Sequence, residues 1–210
     1  MQFELAKLYI EKGEYVKARS LLYRCERNEI STNRPSALET AHLYAYTFLI
    51  EGDYITAEQH YHSFYTPTAK NKEIICETAS ANFQLGMLED VYTIMKNANE
   101  FNPANKATYT LAGAAALALD SSYTHAQELF EQVASYNPKV SINKQIAKKL
   151  YEDVQAYRKE TGKVSVVTIF LLDLAVALDP KNIDYRIERY DSNMFLKRMK
   201  EAVIDEPFLK

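Results

Sequence analysis

The sequence predicts an all-α protein built as a stack of helix pairs. Three observations carry that expectation. The phrase "GEYVKA" at 13–18 recurs as "GDYITA" at 52–57, each time between two amphipathic stretches. Small residues after such turns recur at Ala18, Ala57, Val91 and Ala126, at intervals of 39, 34 and 35 residues, near the ~34-residue period of a two-helix repeat. The chain holds only 5 Gly and 6 Pro in 210 residues, with 47% hydrophobic and 25% charged side chains, a globular composition with few helix breakers.

Each unit divides into a helix before the turn and a helix after it. The first helices read "FELAKLYIEK", "ETAHLYAYTFLIE", "EIICETASANFQL" and "ATYTLAGAAALALD". The second helices read "VKARSLLYRCER", "ITAEQHYHSFY", "EDVYTIMKNANEF" and "THAQELFEQVASY". Apolar residues return at three- and four-residue spacing, as at Leu5, Leu8 and Tyr9, which marks one helical face. Asn102-Pro103, Asn137-Pro138 and Thr66-Pro67 close units, because proline cannot continue a helix. The longer first interval holds "NEISTNRPSALE", whose Ser, Asn and Pro read as a loop.

The repeated phrase has a physical role. Glycine at 13, 52 and 86 ends the first helix in a conformation that side chains disfavour. Tyr15, Tyr54 and Tyr123 are large enough to fill the wedge between paired helices. Alanine at 18, 57 and 126 lets the second helix approach.

These positions resemble the tetratricopeptide repeat family. Unit one offers Ala6, Tyr9, Gly13, Tyr15, Ala18 and Leu22; unit two Ala45, Phe48, Gly52, Tyr54, Ala57 and Tyr61. Unit three offers Ala79, Gly86, Leu88, Met95, Ala98 and Pro103; unit four Ala114, Leu117, Tyr123, Ala126, Phe130 and Pro138. The chain departs from the pattern in lacking tryptophan, in Val91 for the turn alanine and in Ser121 for the turn glycine. The resemblance implies a right-handed superhelical stack of antiparallel helix pairs, an α-solenoid. Four repeats span 1–138. A degenerate fifth, with a long first helix, spans 139–182. A capping helix with one polar face and a tail span 183–210. The first repeat begins at residue 3 with no N-cap residue, as in a chain that starts abruptly or a piece of a longer one.

The net charge is −3, which disfavours a general nucleic-acid binder. Residues 1–138 hold 11 Lys+Arg against 17 Asp+Glu, and 139–210 hold 14 against 11, a small basic excess suited to a solvated helix face. Cys25 and Cys76 lack CxxC spacing and read as buried thiols of a reducing compartment. The N-terminus lacks a signal-peptide apolar region. The run 164–178, "VSVVTIFLLDLAVAL", is interrupted by Asp173 and is shorter than the ~20 residues of a spanning helix. It reads as a core helix, with no membrane insertion and a cytoplasmic location expected.

No catalytic or metal constellation is legible. His60 and His62 stand two apart on a helix and diverge. HExxH, GxSxG and phosphate-loop patterns are missing from the sequence. The expectation is a non-enzyme with no cofactor and no metal.

The first helix of each unit would line the inner groove of a stacked array. Phe3, Lys7, His42, Leu43, Tyr46, Leu49, Cys76, Ser80, Phe83, Leu111, Ala115 and Ala118 fall there. Family members that clamp a peptide carboxylate use Lys and Asn at these places, and here only Lys7 fits. The apolar groove instead suits an amphipathic helix or extended apolar segment of a partner protein. The second reading is a homodimer, with the groove filled by the chain's own C-terminal helix. An RNA-binding repeat ranks below both, given the acidic first 138 residues.

Overall fold

The protein is described from a computed structural model covering residues 2–27, 37–66, 72–101, 137 and 139–209. Among these, every regular element is helical. The helices, numbered in chain order, are α1 (Gln2–Glu11), α2 (Tyr15–Arg27), α3 (Ala37–Glu51), α4 (Tyr54–Phe64), α5 (Lys72–Gln84) and α6 (Leu88–Phe101). They continue with α7 (Ile142–Thr161), α8 (Val166–Leu178), α9 (Ile183–Phe195) and the one-turn α10 (Met199–Ala202), followed by a 3-10 turn at Glu206–Phe208. The expected fourth repeat, with Leu111, Ala115 and Ala118, lies outside the described residues.

One turn geometry links α1 to α2, α3 to α4 and α5 to α6. Gly13, Gly52 and Gly86 have φ of 76°, 86° and 76°. The Gly13 N–H donates to the Ile10 carbonyl and the Glu14 N–H to that of Tyr9, at 2.9 and 2.8 Å. Gly52 and Asp53 donate in the same way to Leu49 and Phe48, and Gly86 and Met87 to Phe83 and Asn82. These are the 5→2 and 6→1 bonds of a Schellman cap, which satisfy carbonyls that the helix end leaves open. Ala18, Ala57 and Val91 follow five residues after each glycine and are fully buried.

The same geometry appears a fourth time where the sequence phrase is missing. Lys197 and Arg198 donate to Met194 and Asn193 at 3.0 and 2.8 Å, and Ala202 is buried five residues on. Lys197 takes the left-handed position with φ of 59°. Residues 183–208 therefore hold a helix pair, its second member cut to one turn, where a single capping helix was expected. Gly162, with φ of 66°, ends α7 by a different motif, a single bond to the Arg158 carbonyl at 2.8 Å.

Side-chain caps set three of the helix starts. Asp53, the acidic residue of the second phrase, accepts from the Thr56 N–H at 3.2 Å. Ser165 and Thr168 form a reciprocal capping box at the start of α8, and Asn182 accepts from the Asp184 N–H at 3.0 Å at the start of α9.

Packing divides the chain into two compact units, Met1–Tyr65 and Thr66–Lys210. In the first, α1 packs on α2, α2 on α3 and α3 on α4. In the second, α8 packs against α5, α7 and α9. Eleven of the 13 residues of α8 are buried, as a helix apolar on all sides requires.

Candidate functional site

The predicted groove residues share a register. Phe3, His42 and Cys76 stand ten residues before their turn glycines; Lys7, Tyr46 and Ser80 stand six before; Leu49 and Phe83 stand three before. The structure separates them by burial. In the first unit Phe3, His42, Leu43 and Tyr46 are half-buried and Lys7 is exposed. The Lys7 ammonium lies 4.6 Å from the Phe3 ring centre and 3.1 Å from Glu4, so its charge is shared locally. His42 lies 6.4 Å from the Tyr61 ring, measured between centroids.

Leu49, Cys76 and Ser80 are buried, with exposures of 0%, 2% and 1%. Leu49 sits in the last turn of α3, whose partner α4 starts three residues after the helix ends. Cys76 and Ser80 belong to a stretch of α5 buried from Ile74 to Asn82, because α6 and α8 both pack on this helix. Phe83 meets Phe170 of α8 edge to face at 5.9 Å, and the neighbouring Gln84 amide donates to Asp173 at 2.9 Å. Cys25 is half-buried where a buried thiol was expected, and burial pushes its pKa up.

Sequence reasoning missed a cavity of about 300 Å³ in the first unit. It opens where α2, α3 and α4 meet, between Leu22, Tyr23, Thr40, Tyr44, His60 and Phe64. Two of its lining residues, Tyr44 and His60, belong to an aromatic column. The Arg19 guanidinium lies 4.4 Å over Phe48, Phe48 stacks on His60 at 5.4 Å, and Tyr44 meets His60 edge-on at 5.0 Å. Glu51 holds Arg19 at 2.8 Å. The volume is at the small end of ligand pockets and fits one apolar or aromatic side chain. The pairing of Tyr44 and Phe48 four apart on α3 was visible in the sequence; their meeting with His60 was not. His62, two residues on, faces out beside Glu58, so the two histidines do diverge.

It also missed a buried ionic network in the second unit. Asp205 is fully buried and accepts from Arg186 at 2.9 Å and from Arg189 at two atoms, both 2.7 Å. Arg189 also donates to Asp173 at 3.1 Å. Arg186 donates to the Pro180 carbonyl at 2.8 Å and stacks 3.7 Å over Phe208. Burial pushes the Asp173 carboxyl above its ordinary range, opposed by the Arg189 and Arg198 charges. Burial also works against the Arg189 charge, but hydrogen bonds to Asp205 and the two carboxylate charges more than offset it. The network ties the last turns of the chain to α8 and α9. A lone aspartate inside the apolar run 164–178, with Arg186 and Arg189 three apart, was the sequence signal for it.

Among the described residues, no group of three His, Cys, Asp or Glu could hold a metal ion, and no helix is long and apolar enough to cross a membrane. No protein-family model matches the chain, and no curated protein matches it.

Proposed function

We propose that the chain is a non-catalytic protein-binding module of the tetratricopeptide repeat kind, a right-handed stack of antiparallel helix pairs serving in the cytoplasm as an adaptor, assembly factor or chaperone. Its ligand is an amphipathic helix or extended apolar segment of another protein, held on the first helices of the pairs.

The observation that carries this reading is the packing of α8 on α5. The groove register of α5 ends in Phe83, and there an apolar helix of the same chain lies against it through Phe170. A helix is thus a ligand for which this register is suited. In the first unit the same register presents Phe3, His42 and Tyr46 half-buried, two aromatic rings and an imidazole, the side-chain types that anchor helix-in-groove interfaces. Phe83, already committed to Phe170, is in this reading a structural residue.

The test is capture from native extract by the wild-type chain and by His42→Ala and Tyr46→Ala variants of unchanged helicity. A hot-spot aromatic contributes about 2 kcal/mol or more, so a partner should be lost by roughly 30-fold. Equal recovery of every protein by all three chains would sink the proposal.

A further inference from the structure

The turn between α9 and α10 conflicts with its own sequence. Residues 196–202 read "LKRMKEA", every one a strong helix former. Neither Gly nor Pro occurs between Asn182 and Glu206. Local propensity therefore favours one straight helix over 183–202. The structure instead ends α9 at Phe195 and packs α10 on it, with Lys197 left-handed at φ of 59°. The three other turns of this geometry hold glycine there, which takes that conformation without steric cost.

Contacts beyond the turn hold the bent form. Asp205 is fully buried and accepts from Arg186 at 2.9 Å and from Arg189 at 2.7 Å. Phe208 lies 3.7 Å from the Arg186 guanidinium, and Ala202 is buried. Both arginines precede the turn on α9, and Ala202, Asp205 and Phe208 follow it. A helix straightened at Lys197 would carry these three residues past the end of α9, out of reach of both arginines. We propose that the segment 199–209 exchanges between two copies of the chain. Each copy opens at Lys197 into a straight helix, and its Asp205 and Phe208 take up on the other copy the places they hold on their own. A second copy fits these places by construction, because it carries the segment that the structure seats there. Every bond of Asp205 is re-formed in the exchanged dimer, and both lysines leave the left-handed region. Backbone strain and helix propensity thus favour exchange, and the lost freedom of two separate chains opposes it. The proposal stands apart from the groove reading, whose open positions are in the first unit.

Size-exclusion chromatography of the full chain tests it, after incubation at about 1 mM in urea below the unfolding midpoint and return to cold buffer. Docking from another copy competes with docking of a tethered segment, whose effective concentration is of about that order. Wild type should yield a dimer that persists on dilution and reverts to monomer on warming, because separation requires the Asp205 bonds to open. Lys197→Gly should weaken the dimer by about 30- to 900-fold, since its two hinges no longer gain on straightening. Lys197→Ala keeps the Cβ and a strong helix former, and should dimerise as wild type does. Neither variant alters Arg186, Arg189 or Asp205, so circular dichroism of both monomers should match wild type. A wild-type chain that stays monomeric overturns the proposal. So does a dimer that dissociates at once on dilution, or one that Lys197→Gly forms as readily as Lys197→Ala.

Discussion

Lys197 occupies a backbone position that three glycines hold elsewhere in the chain, and this permits a measurement of what the turn costs. Its φ of 59° is left-handed. A residue with a Cβ pays about 1–2 kcal/mol there, and glycine gives back about 0.5–1 kcal/mol in lost chain entropy. Lys197→Gly should therefore stabilise by about 0.5–1 kcal/mol. The reciprocal change is Gly86→Ala. A Cβ built on Gly86 meets no atom within 4 Å, so its cost is the backbone term alone, again about 0.5–1 kcal/mol in the opposite direction. At this chain length 1 kcal/mol moves Tm by about 2–4 °C. Thermal and urea unfolding by circular dichroism read both. Lys197→Ala is the control, because it removes the lysine's contacts and keeps the Cβ. If Lys197→Gly is no more stable than Lys197→Ala, the left-handed strain argument is refuted.

Three further perturbations probe the second unit. Asp205→Asn leaves the Arg186 and Arg189 guanidiniums without the fully buried carboxylate they share, and should cost about 3–5 kcal/mol in urea unfolding. Phe170→Ala opens a cavity at a fully buried position against Phe83. A loss of about 3–5 kcal/mol is expected, with hydrogen exchange quickening in α5 and α8 while α1–α4 stay protected. Asp173 binds its proton more tightly folded than unfolded. Its contribution to stability is therefore greatest in acid, and falls as pH rises from the ordinary aspartate range through the raised folded pKa. Wild type should accordingly gain on Asp173→Asn as pH is lowered from neutrality, and a difference independent of pH would contradict the assignment.

The helix pairs were legible because their turns make a local demand. A left-handed residue at the helix end favours glycine, so Gly13, Gly52 and Gly86 mark three turns from the sequence alone. Lys197 shows the limit of that signal. The hydrogen bonds and the buried Ala202 are the same there, but the turn tolerates lysine, and a reading keyed to glycine passed over it. The groove register was legible as a spacing, while its exposure was not. Phe83 meets Phe170 of a helix some ninety residues later in the chain, and no local pattern records that contact. The cavity beside His60 depends on three helices meeting, and the ion pairs of Asp173 and Asp205 depend on three separated segments.

The position of α8 connects these cases. A helix of Val, Ile, Phe and Leu on every side must be covered all round, and α5, α7 and α9 each supply part of that cover. One ionisable group interrupts it, Asp173, at a depth where an unpaired carboxylate costs several kcal/mol. The chain answers with Arg189 from α9 and Gln84 from α5, so the residue that breaks the apolar run ties both neighbours to α8 by directional bonds. Burial supplies most of the attraction in such a core but little orientation. The hydrogen bonds to Asp173 fix the rotation of α8, and that rotation brings Phe170 onto Phe83 and sets how much of the α5 register remains open.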